Sequence, residues 1–208
     1  MKHYSYIIFS LVAVMAVSNA LLGCSINHTL KSADIPQLQV GSPLKGVQPA
    51  TFAFKEFRDV RDDNEMIWDV GIHKYRLDQP AAIVVGTAIR KELERNGHTC
   101  VMESSQSNSD FVVEGTVYKY FLTMDSGGLT AFVNGNVATK LKITSNHADK
   151  KEFVKNYEGK YLRSGFRFSF DEMLEISTQA LLEMVKEIST DPELVEFIQN
   201  NRKGASLN

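Results

Sequence analysis

The stretch Ala131-Phe132-Val133-Asn134-Gly135-Asn136-Val137-Ala138-Thr139-Lys140-Leu141-Lys142-Ile143-Thr144 decides the fold class. Successive side chains of an extended strand point to opposite faces. Val133, Val137, Leu141 and Ile143 therefore share one face, and Asn134, Asn136, Lys140 and Lys142 share the other. A strand divided in this way belongs to a sheet with one face in water and one covered. Its neighbours repeat the theme. Phe111–Thr123 places Phe111, Val113, Val117 and Phe121 on one face, with Tyr118, Tyr120 and Leu122 opposite. Asp125-Ser126-Gly127-Gly128 is a turn signal. Glu152–Leu162 alternates Phe153, Tyr157 and Tyr161 against Glu152, Asn156, Glu158 and Lys160. These three strands are expected to form an antiparallel meander.

Two helices supply the cover. Asp78-Gln79-Pro80 opens the first, whose Ala82, Val85, Ile89 and Leu93 recur at helical spacing, and Asn96-Gly97 closes it. Ser169-Phe170-Asp171-Glu172 matches a capping box for a helix to about Ser189, with Phe170, Leu174, Leu181, Val185 and Ile188 as its apolar face. Asp191-Pro192 starts a short final helix carrying Leu194, Val195 and Ile198. Thr51–Phe57 and His98–Met102 read as further strands, and Arg58–Ile72 as an acidic loop. The expected fold is α+β: a mainly antiparallel sheet of about five strands with two long helices on one face and a short C-terminal helix.

Upstream, Lys2 and His3 precede an apolar run from Tyr6 to Val17, which is shorter than the roughly 20 residues of a membrane-spanning helix. Leu21-Leu22-Gly23-Cys24 follows and resembles the bacterial lipobox. That resemblance implies cleavage of residues 1–23 as a signal peptide, a diacylglyceryl group on the Cys24 thiol and an acylated new N-terminus. No other cofactor is expected. Several acyl chains make a lasting membrane anchor. Ser25 rather than an aspartate follows the cysteine, which by the usual sorting rule implies the outer membrane, with the domain facing the periplasm. Residues 24–50 hold three prolines (Pro36, Pro43 and Pro49) and no aromatic residue, so they are expected to be a flexible tether; residues 51–208 are expected to be a single domain.

Three places are similar to the YajG-like family of bacterial lipoproteins. They are the lipobox, the segment Phe57-Arg58-Asp59-Val60-Arg61 with Val70-Gly71 after it, and the closing stretch Ile188-Ser189-Thr190-Asp191-Pro192-Glu193-Leu194. The resemblance implies lipidation and an α/β sandwich-like domain, and it brings no catalytic residues.

The formal charge of −2 predicts no nucleic-acid surface. The cluster Asp59, Arg61, Asp62, Asp63, Glu65 and Asp69 lacks the glycine and glutamate positions of an EF-hand; it reads as a solvated loop in which Asp59 pairs with Arg61 or caps a turn, with Ca²⁺ binding as the weaker alternative. His28, His73, His98 and His147 have no zinc-motif spacing, so no metal is expected. No nucleophile elbow or phosphate loop occurs, so no enzymatic activity is expected. With Cys24 acylated, Cys100 has no disulfide partner and reads as a buried structural thiol. Trp68 in the acidic loop and Tyr118 and Tyr120 on a strand face are the candidate partner-binding aromatics. The leading functional expectation is a non-enzymatic interaction module of the cell envelope, with an envelope protein as partner. The alternative is an auxiliary lipoprotein that binds a lipid or small ligand in a deep apolar pocket.

Overall fold

The structure is a computed structural model that describes residues 26–30, 42–62, 66–70, 73–102, 109–127, 130–146 and 149–202. Its strands are β1 (Ile26–Leu30), β2 (Thr51–Phe54), β3 (Arg58–Asp59), β4 (Met66–Val70), β5 (His73–Leu77), β6 (Thr99–Met102), β7 (Phe111–Gly127), β8 (Thr130–Ser145) and β9 (Glu152–Gly165). The helices are α1 (Ala81–Arg95), α2 (Phe170–Thr190) and α3 (Pro192–Asn201), with a 3-10 turn at Pro43–Gly46.

The main sheet has the order β6-β2-β7-β8-β9, and β3 pairs with β7 beyond the end of β2. The meander β7-β8-β9 is antiparallel, but β2 runs parallel to both β6 and β7. The sheet is therefore mixed, which corrects the expectation of a mainly antiparallel one. The reason lies in the connection. Between β2 and β6 the chain passes through β3, β4, β5 and the helix α1, and a crossover of this kind returns the chain in its original direction. Helix α1 packs against β7 and β6, and α2 against β9 and β8. Phe197 of α3 meets the rings of Phe111 and Phe153 at 5.9 and 5.6 Å. All three helices cover one face.

Two further expectations are corrected. Arg58–Ile72 is not a loop throughout: β3 joins the main sheet, and β4 pairs with β5 in a second sheet of order β1-β5-β4. Within it, Ile67 is buried in the core. The stretch read as a tether also carries structure. Strand β1 pairs in parallel with β5, and Leu44, Val47 and Ala50 join the hydrophobic core. Ser42 fixes this entry by accepting the Leu44 N–H at 3.2 Å and donating to the Ser189 carbonyl at 2.9 Å.

Strand β7 contains a register shift. Val117 lies opposite Thr139 and Lys119 opposite Ala138, so Tyr118 is an extra residue, a β-bulge. One extra residue inverts the alternation beyond it. Tyr120 is 3% exposed and belongs to the core, whereas Phe121, expected inside, is 36% exposed.

The seat of α2 is set by two glycines. A β-carbon on Gly135 would stand 2.8 Å from the Ile176 carbonyl, and one on Gly159 would stand 2.0 Å from the Ala180 carbonyl and 2.3 Å from the Met184 nitrogen. Backbone meets backbone there, so only glycine fits. The buried side of α2 is consequently Met173, Ile176, Ala180, Leu181, Met184, Val185 and Ile188. Phe170 and Leu174 sit toward its rim instead, Phe170 against Tyr75 at 6.0 Å. The capping box forms: Ser169 Oγ accepts the Glu172 N–H, and Glu172 accepts the Ser169 N–H at 2.8 Å. Asp191 closes the far end. It caps α3 by accepting the Glu193 N–H at 3.0 Å, accepts the Tyr157 hydroxyl at 2.5 Å and pairs with Lys155 at 3.0 Å. Burial pushes the Asp191 carboxyl up, but the Tyr157 and Lys155 contacts outweigh it and hold it below its ordinary value. Strand β9 is an outer strand of the sheet, and its Glu158 N–H is covered by the Glu187 carboxylate at 3.0 Å.

At the start of β2, the buried His98 accepts the Ala50 N–H through Nδ1 at 3.3 Å and stands edge-on to Phe52 at 5.3 Å. Burial lowers its pKa from 6.5, with the Leu44 backbone opposing. Below pH 6.5 the unfolded chain therefore binds a proton that the folded chain resists. This contribution to stability is complete above that pH and is lost as the pH falls below it.

Two outcomes are expected. Gly159→Ala should lower the unfolding free energy in urea by about 3 kcal/mol, at the upper end of overpacking costs, whereas Gly46→Ala, with nothing within 4 Å, should be near neutral. The fall in thermal midpoint between pH 7.5 and about pH 5 should be smaller in His98→Gln than in the parent.

Candidate functional site

Between α1 and the ends of β2 and β6 lies a cleft of about 560 Å³. Its floor is the segment Phe54-Lys55-Glu56-Phe57 together with Asp59. Its wall is the outward side of α1, from Ala82 and Ile83 through Gly86 and Thr87 to Arg90, and Met102 closes one end.

The local sequence explains the floor. Phe57 is wedged between α1 and β7. A β-carbon on Gly115 would stand 2.1 Å from its ring, and one on Gly86 would just touch it at 3.4 Å. Phe54 stacks alongside at 6.2 Å and 14°. Two residues further on, Asp59 and Arg61 form a nearly buried bidentate pair, with Arg61 Nη2 to Asp59 Oδ2 at 2.7 Å and Nε to Oδ1 at 2.9 Å. Arg61 Nη1 also donates to the Tyr120 carbonyl at 2.9 Å. The pair thus serves the edge of β7 just past the bulge, where β3 has ended. A carboxylate held this way is committed to structure, because its oxygens already accept from a guanidinium.

The far end of the cleft is cationic. Arg90 Nη1 approaches Met102 Sδ to 4.0 Å, and Arg90 Nε lies 3.8 Å from Glu94. Behind them Cys100 packs against the core and directs its thiol at the Arg90 carbonyl, 3.8 Å away. Burial, aided by Glu94 and opposed by Arg90, pushes its pKa up to about 12. A thiol in that state is protonated at neutral pH and is a poor nucleophile. Ile83 and Met102 are roughly half exposed, so the cleft opens outward between apolar lips.

The structure distributes the candidate residues unevenly. Asp59 lines the cleft and Arg61 supports it. Trp68 falls in β4, in register with Tyr75. Tyr118 is the half-buried bulge residue. Tyr120, expected on an open strand face, is instead in the core, where burial pushes its hydroxyl up to about 12; the bulge accounts for the change. Leu21, Leu22, Gly23 and Cys24 lie outside the described residues, as do Asp63 and Glu65. Ile83, Thr87, Arg90 and Met102 were not among the candidates. The available signal was Ile83, an isoleucine off the Ala82, Val85 and Ile89 stripe of α1. Among the described residues no helix is long and apolar enough to cross a membrane.

This α+β architecture is similar to that of protein XCC0632 from Xanthomonas campestris, at a TM-score of 0.52 and 12% identity, over 77% of this chain and 92% of that one. The likeness at that identity concerns the fold. Uncharacterized lipoprotein B from Nitrosomonas europaea aligns at a TM-score of 0.40 and 10% identity, over 74% and 91% of the two chains. A minor lipoprotein from Acinetobacter baumannii aligns at 0.36 and 12%, over 74% and 94%. No curated protein matches the sequence. The model of the uncharacterized lipoprotein family Lipoprotein_16 matches residues 58–199, and the chain belongs to that family.

The cleft yields a chemical expectation for its neighbouring thiol. In a Cys24→Ala background a maleimide should label Cys100 at pH 7.5 at least about tenfold more slowly than in the urea-unfolded chain. Equal rates in the two states would contradict the buried, protonated thiol.

Proposed function

We propose that this lipoprotein is cleaved before Cys24, acylated there and held at the outer membrane facing the periplasm, where it acts as a non-enzymatic interaction module. Its partner is an envelope protein that lays an apolar segment into the cleft beside α1. The observation that carries this reading is the open mouth of the cleft, where Ile83 on the α1 wall and Met102 at one end are sizeable apolar side chains left half exposed. An outward-opening apolar groove suits an extended or helical segment of a protein partner. The core beneath is filled by side chains from all the main elements, which leaves recognition to the surface. The Phe57–Arg61 and Asp191–Leu194 segments, each with a defined structural task, support a narrower placement among YajG-like lipoproteins.

A second reading rests on Arg90. A guanidinium at one end of an apolar cleft suits an amphiphile with an anionic head, such as a fatty acyl carboxylate.

The test is photo-crosslinking in cells from position 83, with position 140 on the opposite sheet face as control. The expected result is one dominant envelope protein joined at 83 but not at 140, lost in Cys24→Ala and weakened in Met102→Asp. Identical adduct patterns at both positions would defeat the proposal. Recovery of an acyl lipid in about equimolar amount from the purified chain, lowered in Arg90→Ala, would select the second reading.

A further inference from the structure

The face of the main sheet away from the helices is not uniform. Near its middle, Glu158 gathers Lys119 at 2.7 Å, Lys160 at 3.0 Å and Asn136 at 3.0 Å. Toward the β7–β8 hairpin the same face turns apolar. Phe121 of β7, Phe132 of β8 and Leu162 of β9 share it, since Phe121 lies opposite Asn136, Phe132 opposite Ser164 and Leu162 opposite Asn134. Phe166 follows just past the end of β9 and is 80% exposed; Leu162 is 64% exposed. Phe132 and Leu162 lie diagonally to one another next to Phe166, with Phe121 farther along the same face beyond Thr123 and Asn134; three phenylalanines and a leucine left in water toward one end of a sheet make an interrupted strip that marks a contact surface.

The N-terminal chain indicates what the strip meets. Strand β1 brings His28 alongside Tyr75 of β5, and the Tyr75 ring packs on Phe170, the first residue of α2. Phe170 is four residues from Phe166. Cys24 is four residues from His28, a reach of about 14 Å if fully extended. Only Ser25 separates Cys24 from the first paired residue, Ile26. An acyl group on Cys24 therefore brings the bilayer to the end of the domain that carries the strip, with no long linker between them.

We propose that Phe121, Phe132, Leu162 and Phe166 lie against the lipid bilayer that holds Cys24, so that the domain rests on the membrane in one orientation. The proposal rests on acylation of Cys24. Phenylalanine and leucine side chains enter the boundary between head groups and acyl chains, and the covalent anchor removes the cost of bringing them there. Arg167, exposed beside Phe166, faces the same boundary with a charge suited to lipid phosphate. In this pose the cleft beside α1, on the helix-covered side of the sheet, stays open to the periplasm.

The experiment is hydrogen–deuterium exchange on the mature chain reconstituted in vesicles of phosphatidylethanolamine and phosphatidylglycerol, with Cys24→Ala beside the same vesicles as reference. Mass spectrometry of the N-terminal peptide first establishes the acyl groups. The expected result is exchange about fivefold slower over residues 162–169 in the anchored chain, with residues 192–201 of α3 unchanged. The double variant Leu162→Asp, Phe166→Asp should restore the faster rate while the protein still floats with vesicles and α3 keeps its protection. An acylated chain with equal exchange over residues 162–169 would overturn the docking alone. A chain without acyl groups would overturn the acylation reading and the docking with it.

Discussion

At Gly159 the α2 helix and the sheet meet with no side chain between them, and a β-carbon there would fall inside the van der Waals radii of two backbone atoms of α2. Gly135 repeats the approach one strand over. A helix brought this close cannot rotate or slide without exposing Ile176, Ala180 or Met184. From that seat follow the position of Ser189, which receives the entering chain at Ser42, and of Asp191, which turns the chain into α3. Leu194 and Ile198 are buried because that turn is held from three sides, by Tyr157, by Lys155 and by the Glu193 amide.

Two of the segments that carry the family resemblance, Phe57–Arg61 and Ile188–Leu194, are therefore parts of the scaffold. Phe57 fills the space left by Gly115, Asp59 and Arg61 tie down the free edge of β7, and Asp191 joins three elements. The wedge of Phe57 under α1 holds the helix off the ends of β2 and β6, and the cleft is the gap that remains. Two residues of its floor, Phe54 and Phe57, belong to the core and fix the shape of that side of the groove.

Much of the fold could be read from periodicity: the meander, α1, the capping box of α2 and the start of α3 all appear where the residues indicated. The failures have physical causes. Parallel pairing of β2 is a property of the βαβ connection and leaves no mark within the strand. The bulge at Tyr118 shifts the phase by one residue, so a strict alternation argument placed Phe121 inside and Tyr120 outside. Strands β3 and β4 fall in the segment read as a loop: β3 is only two charged residues whose partner β7 lies far along the chain, and β4 is five residues preceded by acidic ones. The cleft was the least legible feature, since its lining comes from three separate stretches and only Ile83 stands out of pattern.

Strand β9 runs for 14 residues along the rim of the sheet, with Lys155, Lys160 and Arg163 on it and the Glu187 carboxylate over the Glu158 amide. Lipoproteins share a two-dimensional surface, where copies meet far more often than in free solution. An open rim of that length would let neighbouring copies zip together through their backbones into ribbons. A carboxylate occupying one amide interrupts the ladder that such a ribbon needs, and the long ion-paired side chains of Lys155, Lys160 and Arg163 crowd the approach of a second strand. The rim thereby resists edge-to-edge pairing of one copy with another.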